Sequence, residues 1–202
     1  MASVTEPAMA APSGTSALRR RIVAAAIEQT AGSGWSSVTM ARLADAVGVS
    51  RQTVYNEIGS KPALAEAMVL DELARFLAVV GRAFDEHPDD LVESIRAAVR
   101  AVLELAEDNT LLHAIVSATH GAGTDLLPLL TTHAGSLLTT AKAMLADRLA
   151  TYDIPLDEPR LTTATDLVVR TVLSHVMQPS STPAATADGI AWIAQRVLTA
   201  QP

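Results

Sequence analysis

Two short amphipathic segments on either side of a glycine turn constrain the fold of this 202-residue chain more than any other feature. Residues 40–46 and 51–58 each repeat apolar side chains at helical spacing. Gly48, in the three-residue turn between them, can adopt the left-handed backbone conformation that commonly closes a helix. Ser50 can cap the second segment by accepting a hydrogen bond from its first turn. We therefore predict two short helices joined by a tight turn.

The rest of the chain shows the same helical periodicity, and no strand-like alternation appears between its turn signals. Aromatic residues make up only 3% of a chain that is 49% hydrophobic, which suits helices packed on helices. We predict an all-α protein, in which a flexible N-terminal arm precedes a three-helix head and a helical body. The predicted divisions are residues 1–15, 16–62 and 63–202. The other predicted helices cover residues 16–30, 61–86, 91–106, 110–120, 129–152, 158–178 and 183–200.

Charge is distributed unevenly along the chain. The whole protein carries a net charge of −7, yet residues 15–62 hold six basic and three acidic side chains. From residue 63 onward there are nine basic and eighteen acidic side chains. A basic head on an acidic body can direct one end of a molecule toward phosphates while the rest is repelled.

Several classes of protein are disfavoured by what the sequence lacks. No cysteine is present, which excludes disulfides and thiolate chemistry. The N-terminus does not resemble a secretory signal, and no apolar run of about 18 residues exists, so we expect a cytoplasmic protein without a membrane span. No catalytic ordering, phosphate loop or metal-ligand spacing stands out. We therefore expect neither an enzyme nor a bound metal or cofactor.

The second short helix is predicted to present a polar face. With Val54 turned toward the core, Gln52 and Asn56 point away from it, and Arg51 lies at the start of the helix. Such side chains can read base edges or bind phosphate oxygens, and the N-terminal residues of a recognition helix usually meet the groove. Helix starts also favour anions. The candidate DNA contacts are Thr39, Ser50, Arg51, Gln52, Thr53, Tyr55, Asn56 and Lys61.

The sequence TMARLADAVGVSRQTVY at residues 39–55, followed by SKPAL at residues 60–64, closely resembles the DNA-binding signature of TetR-family regulators. The spacing of Ile22 and Ala26 and the pair Gly34-Trp35 fit the same pattern. The resemblance covers residues 21–64.

This resemblance implies an Ω-shaped homodimer, a variable helical C-terminal domain, and release of a palindromic operator when a small ligand binds there. By position it places Arg51, Gln52, Thr53, Tyr55 and Asn56 on the recognition helix and makes Thr39, Tyr55 and Lys61 phosphate anchors. We predict a repressor. The chain departs from the family in three places. Ile58 stands where an aromatic residue is common, Glu57 puts an acid close to DNA, and Pro62 is unusual in the first turn of its helix. We expect Glu57 to face away from the DNA backbone.

Two alternatives stay open for the three arginines at residues 19–21. They can extend into a minor groove as a basic arm, or they can be solvated residues at a helix start.

The body is predicted to hold an apolar cavity and a dimer interface. Its middle helices are rich in Leu, Val, Ala and Met, which favours a hydrophobic effector that is fatty-acid-like or drug-like. The polar or adaptable candidates for this pocket are His113, His120, Met144, His175 and Met177. Two histidines without nearby acids make a poor metal site. The last two helices have apolar faces, and we expect the following residues to divide between a subunit interface and the subunit core: Val168, Val172, Ile193 and Val197.

Two other functions share the same head. One is a constitutive or architectural DNA-binding protein that senses no ligand, and the other is an activator.

Overall fold

A computed structural model describes residues 16–113 and 134–199 of the chain, and no β-strand occurs among them. The all-α prediction is confirmed. The predicted arm, residues 1–15, lies outside the described residues. The head consists of α1 (Ala17–Ser33), a 3-10 turn (Trp35–Ser37), α2 (Met40–Val47) and α3 (Arg51–Ile58).

Longer helices follow in the body, and none of those in the described ranges is long and apolar enough to cross a membrane. Residues 110–113 are helical, whereas the rest of the helix predicted there and the break predicted at residues 121–128 lie outside the described residues. The body helices are α4 (Lys61–Glu86), α5 (Leu91–Glu107), α6 (Ala134–Leu149), α7 (Glu158–Met177) and α8 (Pro183–Thr199).

Side-chain caps define where the helices of the head begin. The hydroxyl oxygens of Ser16, Thr39, Ser50 and Ser60 each accept from the backbone N–H three residues ahead, at 3.0 to 3.2 Å. Each bond satisfies one of the donors that a helix start leaves unpaired. Gly48 ends α2 in the left-handed conformation (φ 75°, ψ 39°), as the sequence indicated.

The first helix is longer than predicted. It continues through Gly32 to Ser33 instead of ending at Thr30, because the N–H of Gly34 still donates to the Thr30 carbonyl at 3.0 Å. Gly34 then ends the helix with a φ of 77°, a value that other residues rarely adopt.

One apolar cluster holds the head together. Ile22 of α1, Leu43 of α2 and Val54 of α3 have no exposed surface at all. The cluster continues into α4 through Leu64 and Met68, both 1% exposed. The proposed division after residue 62 therefore falls in the first turn of α4, and this helix belongs to the head at its start and to the body further on.

The body has two smaller clusters that meet on α5. On one side, Ala98 packs with Phe84 of α4 and Leu149 of α6. On the other side, Val99 and Leu103 pack with the buried face of α8, and half-buried valines of α7 lie against them. The central helix α5 thereby separates α4 from α7 and α8.

The segment after α5 is joined to both the head and α4. Leu111, 2% exposed, packs in the apolar cluster of the head. The side-chain amide of Asn109 donates to Oε2 of the buried Glu72 at 2.6 Å, and Arg75 donates to Oε1 at 2.9 Å. Oδ1 of Asn109 accepts from the N–H of Leu112 at 2.8 Å and so caps the turn that follows. We call residues 109–113 the junction segment.

An ion triad links α6 to α7. Asp166 accepts from Lys142 at 3.0 Å and from Arg170 at 2.7 Å. Hydrogen bonds from Arg170 and Lys142 lower the pKa of the Asp166 carboxyl below its ordinary value.

Candidate nucleic-acid interface and cavity

The structure places the predicted recognition face of α3 on the outside of the head. Val54 is fully buried, and Ile58 is 5% exposed. Arg51, Gln52 and Asn56 are exposed on the opposite side of the helix. Helical geometry explains the division, because residues separated by four positions lie on one face of a helix. The head therefore presents guanidinium and amide groups to solvent, anchored on a closed apolar cluster.

Two side-chain pairs order that face. Nε2 of Gln52 donates to Oδ1 of Asn56 at 3.0 Å, and Nη2 of Arg51 donates to the Tyr55 hydroxyl at 3.2 Å. The Arg51 guanidinium also lies over the Tyr55 ring, 5.4 Å from its centroid. The bond to Tyr55 raises the pKa of Arg51 above its ordinary value, so this side chain stays cationic. These pairs reduce the side-chain freedom that would be lost on binding.

The predicted hydroxyl contacts lie at helix starts. Ser50 shares a hydrogen bond of 2.8 Å with the Thr53 hydroxyl in addition to capping α3. Thr39 caps α2 and is exposed. Arg42, one turn into α2, is also exposed and donates to the Ser37 carbonyl at 3.1 Å. Arg42 was not among the DNA contacts predicted from sequence. Its position three residues after the cap Thr39 could have indicated it as a candidate.

Lys61 is held in place by Trp35. Its ammonium group donates to the Trp35 carbonyl at 3.0 Å and lies 4.7 Å from the centroid of the indole ring. The side chain is half-buried, and two donors of the ammonium remain for other partners. Lys61 therefore offers a positive charge at a fixed place beside the start of α4.

Glu57 faces α1, a contact that the sequence did not predict, and its orientation relative to DNA stays a prediction. Its carboxylate accepts from the Ser16 hydroxyl at 2.7 Å. Arg19 donates to the backbone carbonyl of the same residue at 2.5 Å. Glu57 therefore joins the end of α3 to the start of α1.

The arginines near residue 20 lie within α1 and not in an extended arm. Arg19 holds α3 through the Glu57 carbonyl, and Arg21 donates to the Val47 carbonyl at the end of α2, at 2.8 Å. Of the two alternatives for these arginines, a basic arm or a helix start, the structure shows the helix start. Arg19 and Arg21 contact the ends of α3 and α2, an arrangement that sequence reasoning did not foresee.

A cavity of about 280 Å³ lies between the ends of α5 and α7, the junction segment and the start of α8. Its walls are mainly apolar, with Leu103, Leu112 and Val176 among them. Of the predicted pocket residues, His113, His175 and Met177 line it. His175 donates from Nδ1 to the Thr171 carbonyl at 2.9 Å, and its Nε2 pairs with the Ser180 hydroxyl at 3.1 Å.

Two of the predicted pocket residues are not brought to this cavity. Met144 lies on α6 against Gly81 of α4, where its Cε would be 3.6 Å from an added Cβ. His120 lies outside the described residues. Thr186 lines the cavity but was not among the candidates, because a single threonine in a helix carries no sequence signal of a site.

Large apolar side chains of α7 and α8 are exposed in the part of the chain that the structure describes. Leu167, Trp192 and Ile193 are 60, 59 and 54% exposed. Val168 and Val172 instead lie half-buried against the cluster around Val99 and Leu103. We name the uncovered surface the α7–α8 face. Its residues are Leu167, Leu173, Trp192, Ile193 and Val197, whereas the exposed Met177 lines the cavity.

Comparisons with known proteins agree with this architecture. The sequence profile for bacterial regulatory proteins of the tetR family matches residues 22–68, and that for the bacterial tetracyclin repressor C-terminal domain matches residues 90–196. The HTH-type transcriptional regulator AlkX of Mycobacterium tuberculosis is 29% identical over 145 residues, which cover 72% of this chain and 68% of AlkX.

Solved structures show the same fold. The TetR family repressor AlkX from Dietzia sp. strain DQ12-45-1b, implicated in biodegradation of n-alkanes, superimposes with a TM-score of 0.71 at 26% identity, covering 88% of this chain and 96% of that one. A TetR-family regulator from Mesorhizobium loti gives a TM-score of 0.64 at 17% identity, covering 89 and 96%.

Fold and site together define a helix-turn-helix DNA-binding protein with a helical regulatory domain. The chain belongs to the TetR family of transcriptional regulators. Members of this family are DNA-binding regulators and not enzymes.

Proposed function

We propose that this protein is a homodimeric repressor that binds a palindromic operator through α3 and leaves it when a small apolar effector occupies the body. The observation that carries the proposal is the exposed face of α3, where Arg51, Gln52 and Asn56 stand opposite the buried Val54. This face belongs to a net basic segment of an acidic chain, so DNA phosphates attract this end of the molecule.

The proposed contacts follow from the chemistry of each side chain. Amide side chains such as Gln52 and Asn56 can bond an adenine edge in two places, and Arg51 can do the same with guanine. Lys61 and Tyr55, which flank this face, are proposed to bind phosphates. So are Thr39, Ser50 and Thr53, where helix starts present N–H groups.

Dimerisation is supported by the α7–α8 face. One head buries too little surface for the affinity that an operator requires, so two heads must be joined. Exposed Trp192, Ile193 and Leu167 provide an apolar surface of the kind that a second copy would cover. A symmetric dimer of this kind binds two half-sites related by two-fold symmetry, which is why we propose a palindromic operator.

The repressor role and the apolar effector are supported by the Dietzia relative, which is described as a repressor implicated in biodegradation of n-alkanes. The apolar walls of the cavity agree with such an effector. A protein that binds chromosomal operators in this way acts in the cytoplasm.

The junction segment offers a physical route between cavity and head. Leu112 and His113 line the cavity, while their neighbour Leu111 packs in the apolar cluster of the head. Asn109 of the same segment holds Glu72 of α4. A ligand that shifts this turn would therefore disturb both α4 and the head cluster, because packed interiors do not deform continuously.

The proposal is tested by selecting genomic DNA fragments that the purified protein binds. We expect one motif with two-fold symmetry, whose half-sites are separated by about 10 base pairs or a multiple of that spacing. Fragments of many unrelated sequences, bound with similar affinity, would instead identify an architectural protein. Expression of a reporter from the selected operator, measured with and without the gene that encodes this protein, distinguishes a repressor from an activator. A repressor lowers the expression and an activator raises it.

A variant of Lys61 tests the phosphate contacts. Lys61→Gln should weaken binding to all sequences alike and should reduce the slope of log affinity against log salt by about 1. Arg82→Gln, which removes an exposed cation from α4 far along the body, is the matched control and should leave the slope unchanged. An unchanged slope in both variants would remove Lys61 from the interface.

A further inference from the structure

We infer that the cavity between α5, α7 and α8 binds a neutral, compact amphiphile, an apolar molecule with one hydroxyl or carbonyl group, and that Thr186 supplies its hydrogen bond. This inference rests on the proposed function in one respect only, namely that the bound molecule is the effector. The site itself follows from the burial, charge and volume of the cavity.

Thr186 is a largely buried residue, 8% exposed, whose hydroxyl has no hydrogen-bond partner among the described residues. Other helical threonines, such as Thr163, Thr165 and Thr171, donate to the carbonyl four residues earlier. The Thr186 oxygen is not one of the fully buried atoms that lack a partner, so its hydrogen-bonding capacity is open to water or to a molecule in the cavity. A ligand in the cavity that Thr186 lines would use this capacity.

The charges around the cavity disfavour an anion. Among the described residues that line it, none is lysine or arginine, and Glu107 contributes a carboxylate. Both ring nitrogens of His175 are already engaged, by the Thr171 carbonyl and the Ser180 hydroxyl. A carboxylate taken from water into this space would meet no lysine or arginine among the described lining residues, and His113, the other histidine there, is exposed, so its desolvation would be poorly compensated. A hydroxyl or carbonyl needs only one hydrogen bond, and Thr186 can donate or accept it.

The size of the cavity suits a small molecule. A volume of about 280 Å³ lies just below the usual range for drug-sized ligands. A straight-chain alcohol of eight carbons is a small amphiphile of the proposed kind, and its chain can lie against Leu103, Leu112 and Val176.

The test is calorimetric titration of the full-length protein with 1-octanol and with octanoate at neutral pH, in the absence of DNA. The two probes share chain length and differ in charge. We expect one octanol to bind per chain, and octanoate to bind at least about tenfold more weakly. Equal or tighter binding of octanoate would overturn the inference, and so would the absence of octanol binding.

Variants of Thr186 test the hydrogen bond. Thr186→Val keeps the shape of the side chain and should raise the Kd for octanol about three- to tenfold. Thr186→Ser keeps the hydroxyl and should remain within about twofold of the unaltered protein. Thr163→Val, at an exposed position near the start of α7, is the matched control. An unchanged Kd in Thr186→Val would contradict the role of Thr186.

A second variant tests the location without depending on Thr186. Ala106 lines the cavity from α5 and is 7% exposed, so Ala106→Leu should narrow the cavity and abolish octanol binding. Octanol that still binds this variant would place the ligand elsewhere. If the protein binds octanol as expected but selects no DNA motif, the ligand site is supported and the proposed regulator is rejected. If it selects an operator but does not bind octanol, the regulator is supported and the ligand site is rejected.

Discussion

The head and the α7–α8 face use apolar side chains in opposite ways. In the head, Ile22, Leu43 and Val54 are completely enclosed by residues of the same chain. On the α7–α8 face, Leu167 and Trp192 keep more than half of their surface exposed. The comparison teaches that the chain completes its head core alone, whereas its body leaves an apolar surface that a second copy is proposed to cover.

Polar contacts differ between the same two regions. In the head, Arg19, Arg21 and Lys61 donate to backbone carbonyls of neighbouring elements. In the body, basic side chains such as Arg170 and Lys142 pair with a carboxylate between helices. Because these carbonyls carry no net charge, the contacts do not neutralise the cations of the head, which can still attract DNA phosphates.

The largest effect is expected from placing a charge on the α7–α8 face. Ile193→Asp would bury an unpaired carboxylate at two symmetric positions of the dimer, at a cost of about 4 kcal/mol or more. The association constant of the dimer should fall at least about a thousandfold. Sedimentation velocity measures the monomer fraction. Ala146→Asp, at an exposed position of α6, should remain dimeric. A dimeric Ile193→Asp protein would show that this face is not the interface.

A smaller effect is expected on the recognition face. Gln52→Ala removes an exposed amide that pairs with Asn56, and discrimination at the base pair it reads should fall by about 1–3 kcal/mol. The measurement compares binding to the selected operator and to operators with single substitutions. Arg82→Ala in the body is the control and should retain the full discrimination. If Gln52→Ala retains it as well, Gln52 does not read a base.

The junction between the two regions can be weakened with a third variant. Asn109→Ala leaves Oε2 of the buried Glu72 without its partner and removes the cap from residues 110–113. The free energy of unfolding should fall by about 1–3 kcal/mol. Urea denaturation at one protein concentration measures it. Asn56→Ala removes the same side chain from an exposed position and should change stability by less than about 0.5 kcal/mol. Equal effects would mean that the junction bond is unimportant.

The smallest effect concerns the ion triad of the body. Because hydrogen bonds lower the pKa of Asp166 in the folded protein, this residue stabilises the fold at neutral pH. Its contribution disappears as the pH falls through that lowered pKa. Asp166→Asn should therefore be less stable than the unaltered protein at pH 7, and the two should converge in strong acid. Denaturation curves across this range test the convergence, and a gap independent of pH would contradict it.

Much of the head could be predicted from sequence because its determinants are local. Ser50 and Thr39 cap helices that begin at the next residue, and Gly48 supplies a conformation at a single position. Val54 and Ile58 are four residues apart, so periodicity alone assigns them to the core. The same helical periodicity predicts that the amide side chains of Gln52 and Asn56 are exposed. The TetR resemblance of residues 21–64 rests on these local features.

The body was less predictable because its contacts join distant parts of the chain. Periodicity identified Val168, Val172, Ile193 and Val197 as apolar helix positions but could not say which neighbour each would meet. In the structure the first two lie against the subunit core, and the last two lie on the uncovered face.

The sequence by itself determined the helices, their caps and the polar face of α3, because each depends on residues within about one helical turn of one another. The tertiary structure alone decided that Glu57 accepts from Ser16, that Leu111 packs in the head and that Thr186 lines the cavity. These features join residues that lie tens of positions apart, or depend on which surfaces the packed helices leave uncovered. Helical periodicity carries no information about either, because it records which face of a helix is apolar and not what that face will contact.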